Sequence, residues 1–514
     1  MNILFERFTL PEQLSRVIYN SPSVIIPTSK EVLFELIFGN EHTGKIEVLY
    51  DVNGKPVKEA EVVRCKNGAA VNYPEDYMRR RDPDCMRIAD DQPTDKPRFE
   101  DVYGYKFDEL RIETLRWLTK QELILVPFKA GGYDYGYEAV LVCPRNAAFF
   151  GFAMAQLQAF VDIRTVDHFK PRAVVYVAPP FRHTHFGGKQ VVVHNRLPDL
   201  HEVFSYNLYP GPSAKKGIYS VLLDIGEQEG WVTAHASSAR IITPYENEMV
   251  MMHEGASGGG KSELLQDVMR CADGRVLLGV DLVTGEERYI SMSDTCTIAP
   301  VTDDMAMCPP SIQKSGGKLS LVDGEDGWFV RVDGITSYGC DPMYERIAIH
   351  SKEPLMFLNL EAVPRATCLP WEHVLDSDGK PCPNPRIIVP RRMIENIVTQ
   401  PVDVDVRSFG VRMPPATAKK PTYGIMGLMH IIPPALAWLR QPAGQRGRRL
   451  LLALRHRQAG RPGEPAAGAD HKLHADALCA HPEPAHRQLQ GRLCGRVDSE
   501  GISRAPRRRE HENG

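Results

Sequence analysis

The chain has 514 residues, a formal net charge of −3, and 43% hydrophobic and 25% charged residues, a composition typical of a globular protein with room for two or three domains. Its start lacks a basic segment followed by an apolar run, and its longest apolar stretch, residues 423–439, is interrupted by His430 and two prolines. We therefore expect neither a signal peptide nor a membrane span. Eleven cysteines without a C-x-x-C pair favour reduced thiols in a cytoplasmic protein.

The first half of the chain is predicted to contain both strands and helices. Residues 1–75 have apolar segments at 10–17, 24–26, 32–38 and 46–51, with a hairpin turn at Asn53-Gly54. Residues 76–105 are charged and rich in Pro and Asp, and the run Arg79-Arg-Arg-Asp-Pro83 within them, taken alone, fits a solvated loop. An amphipathic helix over 109–119 precedes strands at 123–127 and 137–143, an apolar helix over 147–162, and strands at 174–177 and 191–194. His183 and His185 would share one face of a strand and offer two metal ligands, although the sequence indicates no third.

A phosphate-binding pattern stands at the centre of the second half. The eight residues fit G-x-x-x-x-G-K-[ST] and are Gly255, Ala256, Ser257, Gly258, Gly259, Gly260, Lys261 and Ser262. Glycines allow successive N–H groups to point at phosphate, Lys261 would contact the terminal phosphates, and the Ser262 hydroxyl would bind Mg²⁺. The pattern predicts a nucleotide loop; the alternative is a glycine-rich turn before an ordinary helix.

The segments around this loop are predicted to form the sheet beneath it. Apolar runs at 217–223, 231–235 and 248–252 precede the loop, and a hairpin is predicted from residues 275–280 and 287–291. A further strand starting at 297 ends at Asp303 and Asp304. Carboxylates at a strand end beside a phosphate loop suit a divalent metal, although such a pair is also a common turn.

Several further segments accompany the phosphate loop and the Asp pair in one order along the chain. The full set is Arg81-Asp-Pro-Asp, Lys215-Lys216-Gly217, Trp231-Val-Thr-Ala-His235, the phosphate loop, Asp303-Asp304, Asn384-Pro-Arg386 and Phe409-Gly-Val-Arg-Met-Pro-Pro415. Taken in order, these motifs resemble ATP-dependent phosphoenolpyruvate carboxykinase, whose nucleotide fold is shared with HPr kinase. The resemblance spans roughly residues 81–438 in one order.

The resemblance implies a set of site residues. Lys216, His235 and Asp304 are implied as ligands of Mn²⁺, with Ser262 on Mg²⁺. Arg81 is implied to hold a substrate carboxylate and Arg386 to lie beside the transferred phosphate. With Lys261 and Asp303 these arginines make up the predicted catalytic residues.

The resemblance also implies an architecture and a reaction. We expect an α/β fold of the carboxykinase type with two mixed lobes: residues 1–229 on the substrate side and residues 230–440 with the nucleotide and metal. The implied reaction converts an oxaloacetate-like β-keto acid and ATP into phosphoenolpyruvate, CO₂ and ADP, and the implied partners are a nucleotide and a small carboxylate. Because Ser262-Glu263 is closer to HPr kinase, a kinase for a protein or small molecule stays an alternative, as does a non-catalytic nucleotide-binding regulator or an inactive chain.

The last 74 residues differ in composition from the rest. Residues 441–514 lack Phe, Tyr, Trp and Met and carry 13 Arg and one Lys against eight acidic residues, whereas the remainder of the chain has an acidic excess. Such a segment buries too little apolar surface to fold alone. We interpret it as the product of a frame slip near codon 438; a disordered basic arm and a small folded module are the alternatives. The acidic body gives no reason to expect nucleic acid as a partner.

Overall fold

The computed structural model describes residues 7–254, 261, 265, 275–281, 283–291, 296–405, 410–412 and 427–429. The α-helices in these ranges are α1 (Glu12–Asn20), α2 (Lys30–Phe38), α3 (Phe99–Tyr103), α4 (Phe107–Leu118), α5 (Ala148–Leu157), α6 (Phe181–Phe186), α7 (Lys216–Glu229) and α8 (Pro342–Ile349).

The strands up to the phosphate-loop sequence are β1 (Val24–Ile25), β2 (Lys45–Val52), β3 (Lys55–Cys65), β4 (Gly68–Asn72), β5 (Met86–Ile88), β6 (Leu123–Ala130), β7 (Tyr137–Pro144), β8 (Ala159–Phe160), β9 (Ala173–Val177), β10 (Val192–Arg196), β11 (His201–Ser205), β12 (Val232–Ala234), β13 (Ala236–Ile242) and β14 (Glu248–Glu254). Those after it are β15 (Arg275–Val280), β16 (Glu287–Ser291), β17 (Thr297–Thr302), β18 (Ala306–Cys308), β19 (Leu319–Asp323), β20 (Gly327–Arg331), β21 (Leu355–Leu358), β22 (Arg386–Pro390), β23 (Val402–Val404), β24 (Gly410–Arg412) and β25 (Gly427–Met429).

The largest sheet is mixed and buried on both faces. Its strand order is β1-β6-β7-β9-β11-β10-β5, with β8 paired to β6. Successive residues of β6 enter different cores, because side chains alternate across a strand: Ile124 and Val126 face the core shared with α2 and α5, whereas Leu125 faces the core shared with α1 and α4. Burial on both faces explains why this strand reads as a continuous apolar run.

A second sheet joins distant parts of the chain. Its order is β2-β3-β4-β21-β22-β20, so it takes three strands from before residue 230 and three from after it. Helix α5 packs against strands of both large sheets and has every residue buried, which accounts for its apolar sequence. The helix predicted over 147–162 ends at Leu157, since residues 159–160 form β8.

Two smaller sheets carry the strands next to the phosphate-loop sequence. One has the order β12-β18-β19-β23 and the other β14-β13-β17. The strand expected at residues 217–223 is wrong, because these residues lie in α7. Ile218, Val221, Leu222 and Ile225 have the spacing of one helix face and are buried together in the core.

Other local predictions are confirmed, and the molecule is of the mixed α/β class. Asn53 and Gly54 both adopt positive φ between β2 and β3, as a tight hairpin turn requires. β15 and β16 pair as the expected hairpin. Within the described ranges, no helix has the length and apolar character that crossing a membrane demands.

Candidate active site

Ends of helices and strands bring charged side chains to one buried place. A π-helical turn, Gly211–Lys215, leads directly into α7, so that Lys215 and Lys216 stand at the start of that helix. His235 lies between β12 and β13, and Asp304 follows the end of β17. Irregular π turns are frequent at functional sites, because they re-aim side chains relative to a regular helix.

Three of the predicted ligands, Lys216, His235 and Asp304, form a compact triad. The Lys216 amine nitrogen lies 2.7 Å from His235 Nε2, which in turn lies 2.7 Å from Asp304 Oδ1. The Lys216 amine also donates to Asp304 Oδ2. All three are at most 8% exposed. The structure thus brings together three residues that are far apart in sequence.

The phosphate-loop lysine reaches the same triad. Lys261 Nζ lies 3.2 Å from Asp304 Oδ1, and Lys261 is buried. The other predicted nucleotide-binding residues, 255–260 and Ser262, lie outside the described residues.

A second group, built on Lys215, adjoins the triad. Lys215 Nζ lies 3.6 Å from Asp303 Oδ2, 3.4 Å from Asp304 Oδ2 and 3.4 Å from Glu325 Oε1. The Glu325 side chain, from the turn between β19 and β20, is fully buried. The resemblance placed Lys215 next to a ligand without giving it a role, and no motif pointed to Glu325.

Burial and neighbouring cations set the protonation of the triad. Burial lowers the pKa of Lys216 to about 7, against the opposing effect of Asp304, and Lys261 and Lys215 lower it further. Burial also lowers the pKa of His235 to about 3, with Lys216 acting in the same direction. Burial would raise the pKa of Asp304, but the surrounding cations, led by Lys215, hold it well below its usual value. The Lys216 amine and the His235 imidazole are therefore available in their neutral forms, each with a nitrogen lone pair, beside the ionised carboxylate of Asp304.

Two carboxyl groups behind the triad are shifted the other way. Burial raises the pKa of Glu325 well above its usual value. Burial likewise raises that of Asp323 to about 7, although Arg391 and Trp328 oppose the shift. Asp323 Oδ2 accepts from Trp328 Nε1 at 2.9 Å and forms an ion pair with Arg391, whose Nε lies 2.9 Å away, so that the end of β19 is held against the site.

The donor chemistry of the triad fits a divalent metal such as Mn²⁺. Imidazole and carboxylate are common ligands of such ions, and a lysine becomes a ligand only when its amine is neutral. Within the described ranges no three His, Cys, Asp or Glu side chains are grouped for metal binding, so the third donor here is a lysine. The residues that would hold the ion are Lys216, His235 and Asp304.

Arg386 lies at the edge of this charged cluster. It begins β22, where its Nε donates to Asn384 Oδ1 at 2.9 Å and its Nη1 to the Phe329 carbonyl at 3.1 Å. Burial lowers its pKa, while the charge of Asp303 acts to raise it; Arg386 in turn acts to lower the pKa of Lys215. These mutual effects put Arg386 within electrostatic range of the Lys215 group.

Arg81 is in a different position from the triad. It is half-buried, its Nε is buried without a hydrogen-bond partner among the described residues, and its charge acts on Cys85. Among the residues that the structure describes, no ion pair joins Arg81 to Asp303 or Asp304. Arg79 is linked to Arg386 through Asn384, whose Nδ2 donates to the Arg79 carbonyl at 2.8 Å and whose Oδ1 accepts from Arg386 Nε.

The histidine pair considered from sequence has another structure. His183 and His185 lie on α6 rather than on a strand, so their side chains do not share a face. His183 pairs with Glu59 and His185 with Glu113, the latter at 3.4 Å. The hypothesis of a metal-binding pair on a strand is therefore wrong. The segment forms a helix instead, which buries Phe181, Arg182 and Phe186.

Comparison with known proteins gives a family. Residues 10–450 match the family described as Domain of unknown function (DUF4914). No curated protein matches the sequence.

Proposed function

The chain belongs to the DUF4914 family, and for this member we propose ATP-dependent phosphoryl transfer of the phosphoenolpyruvate carboxykinase type. The proposed reaction takes an oxaloacetate-like β-keto acid and ATP to phosphoenolpyruvate, CO₂ and ADP, with Mn²⁺ at the triad and Mg²⁺ on the nucleotide. The fold belonging to this proposal is a carboxykinase-like pair of α/β lobes with a phosphate loop.

The observation that carries the proposal is the convergence of Lys216, His235 and Asp304 with Lys261. The triad offers three possible metal ligands, two neutral nitrogens and one carboxylate. The ammonium group of Lys261, from the phosphate-loop sequence, meets them in a site whose members are almost fully buried. Such a combination suits a reaction in which a metal and a triphosphate share one small space. A structural ion pair alone would not require a histidine and a second lysine around one carboxylate.

Removal of CO₂ and transfer of the γ-phosphoryl group both develop negative charge on oxygen. When bound, a divalent ion at the triad would supply Lewis-acid stabilisation of that charge. Lys261 and Lys215 add fixed ammonium groups next to it, and their burial strengthens each charge interaction by excluding water. These lysines would thus stabilise the transition state more than the ground state.

Two arginines suit the carboxylate and the phosphate of the substrate, and one of them, Arg386, lies at the edge of the site. The guanidinium of Arg386 is held by Asn384 and Phe329, so that its orientation is fixed before substrate binds. We assign to it the phosphate side, and to Arg81 the substrate carboxylate.

A second candidate is a kinase of the HPr kinase type, favoured by Ser262-Glu263. It would use the same phosphate loop and metal but would transfer the phosphoryl group to a hydroxyl group. The arginines favour the carboxykinase reaction, because a hydroxyl acceptor needs no carboxylate-binding fork. A non-catalytic nucleotide binder would retain ATP binding without either transfer.

The test is phosphoenolpyruvate formation from oxaloacetate, ATP and Mn²⁺ by the full chain. His235→Asn and Asp304→Asn should each lower the rate by about 100-fold or more, in line with the loss of one charge-stabilising group. The exposed residues His168 and Asp199 provide matched controls as His168→Asn and Asp199→Asn. ATP binding without phosphoenolpyruvate would remove the lead proposal, and transfer of labelled phosphate to a protein hydroxyl would establish the kinase instead.

A further inference from the structure

Two cysteines outside the proposed active site are held next to each other by the backbone. Cys65 ends β3, and Cys368 lies in the connecting loop, residues 359–385, between β21 and β22. The loop runs beside the end of β3: Arg365 N donates to the Arg64 carbonyl at 2.8 Å and Lys66 N to the Ala366 carbonyl at 2.9 Å. These bonds fix the two cysteine-bearing segments side by side.

Asn67 closes the same arrangement from one side. Its Oδ1 accepts from Cys368 N at 2.8 Å and its Nδ2 donates to the Cys368 carbonyl at 2.8 Å. Both thiols belong to one apolar cluster, and Cys65 is 6% and Cys368 1% exposed. The pairing is therefore a property of the rigid fold.

The two thiols are chemically unequal. A hydrogen bond from Cys368 lowers the pKa of the Cys65 thiol, while the same contact and burial raise that of Cys368 well above its usual value. In a thiol pair the more acidic sulfur attacks first and the other resolves the adduct. Cys65 has the first role here.

Cys65 also has a route to solvent. It lines a surface cavity of about 420 Å³, whose charged or titratable lining residues are Glu41, His42, Arg64, Lys66 and Arg365. Arg64 is paired with Glu35, which leaves Lys66 and Arg365 as two cations against the one carboxylate of Glu41, so the cavity favours an anionic ligand. Arg365 adopts a left-handed backbone, φ +64°, which a non-glycine residue keeps only where the surrounding structure holds it.

We infer that Cys65 and Cys368 form a redox-active dithiol, which a small disulfide carrying carboxylates oxidises to a protein disulfide. The Cys65 thiolate attacks one sulfur of the small disulfide; that S–S bond breaks, a mixed disulfide forms, and the leaving thiolate takes the proton lost by Cys65. Cys368 then loses its proton, attacks the Cys65 sulfur and releases the second small thiol. Two protein thiols are oxidised and one small disulfide is reduced to two thiols.

The experiment treats the reduced full chain with glutathione disulfide, alkylates it and maps cysteines by mass spectrometry. The wild type should yield a Cys65–Cys368 cross-linked peptide, and Cys368→Ser should accumulate the Cys65–glutathione adduct. Cys65→Ser should leave Cys368 as a free thiol. Cys143→Ser is the matched control, because Cys143 is buried and burial raises its pKa to about 12.

Cys340 provides an internal positive control. It is half-buried, and Ser337 and Thr336 lower its pKa to about 7, so it should form an adduct in every variant. An adduct on Cys340 with Cys65 and Cys368 both still alkylated would overturn the proposal. A Cys65 adduct that persists equally in the wild type and in Cys368→Ser would also overturn it, and this comparison stands even where Cys65→Ser fails to fold.

The charge of the oxidant is tested separately. Glutathione disulfide should react with Cys65 about tenfold faster than neutral hydroxyethyl disulfide at low salt, since a cationic cleft raises encounter rates by this order. Lys66→Glu should reduce that preference, whereas Lys55→Glu, at the other end of β3, should not. Equal rates for the two disulfides would exclude an anionic oxidant.

Discussion

Lys216 combines two demands that ordinary lysines do not meet. In the proposed site it lies close to a carboxylate and would also offer a lone pair to a metal. Burial disfavours its charged form, and Lys261 and Lys215 add repulsion, while Asp304 opposes these effects. A residue that remains charged at this position could satisfy the carboxylate but could not coordinate.

Lys216→Arg is therefore not a conservative change at this position. Arginine keeps its proton at any working pH and has no free lone pair. We expect Mn²⁺ affinity, measured by the electron paramagnetic resonance of free Mn²⁺, to fall by about tenfold or more. Lys314→Arg, at the exposed pair with Asp403, is the matched control. Unchanged affinity in Lys216→Arg would show that the amine is not a ligand.

At the scale of elements, the joint between β4 and β21 depends on one glycine. Gly68 has φ +150°, and a Cβ there would lie within 3.0 Å of the backbone oxygen and nitrogen of Leu355. Leu355 pairs with Gly68 in the parallel ladder, so neither atom can move away without breaking the sheet.

Gly68→Ala should therefore lower the free energy of unfolding by roughly 3 kcal/mol or more, measured by urea denaturation. Gly187→Ala serves as control, because Gly187 has φ +55° and open space around its Cα; there only the left-handed strain of about 1–2 kcal/mol is expected. Equal losses in the two variants would rule out the close approach as the cause.

A buried histidine chain joins three other elements. His194 Nδ1 on β10 lies 2.9 Å from His201 Nε2 on β11, and His201 Nδ1 lies 2.8 Å from Asp224 on α7. His194 is fully buried, and burial holds its pKa well below 6.5. At a pH where the unfolded chain protonates His194, the folded chain therefore keeps this imidazole neutral.

Stability should fall as pH drops below about 6.5, because the unfolded state then carries the extra proton. His194→Gln should flatten this slope by up to about 1.4 kcal/mol per pH unit, which is the effect of one proton. Urea denaturation across pH 5–7 measures it. The exposed residue His350, changed to Gln, should leave the slope as in the wild type. A slope unaltered in His194→Gln would contradict the assignment.

At the scale of the whole molecule, the six-stranded sheet joins strands from residues 45–72 to strands from residues 327–390. Because β4 pairs with β21, neither the segment before residue 230 nor the segment after it contains all six strands of the sheet. Helix α5, buried between the two large sheets, adds a second joint.

We therefore expect one cooperative unfolding transition. Variants retaining only Trp117, on α4, or only Trp328, fully buried on β20, should report the same urea midpoint. Distinct midpoints would mean that residues 1–229 and 230–440 unfold as independent domains.

Lys216, His235 and Asp304 were implied as ligands by the resemblance to the carboxykinase family, whose motifs occur here in the same order, and the structure brings the three side chains together. The parts of the site that depend on packing were not predicted. The family pattern gave Lys215 no role. Successive residues of a regular helix point about 100° apart, but the π turn before α7 lets both Lys215 and Lys216 face Asp304. Glu325 gave no pattern, because its burial arises from tertiary contacts. The same limit produced the error at residues 217–223, where a short apolar run fits a strand or a buried helix.

The connecting loop holds Cys368 at one end and, further along, Asp376, which pairs with Arg79 and Arg80, and Asn384, which orients Arg386. One piece of chain thus contacts both the thiol pair and the arginine edge of the site. Thermodynamic linkage makes such a connection reciprocal. A substrate that orders the loop should shift the reduction potential of the pair by the same free energy that oxidation adds to substrate binding, about 30 mV for every tenfold change in affinity.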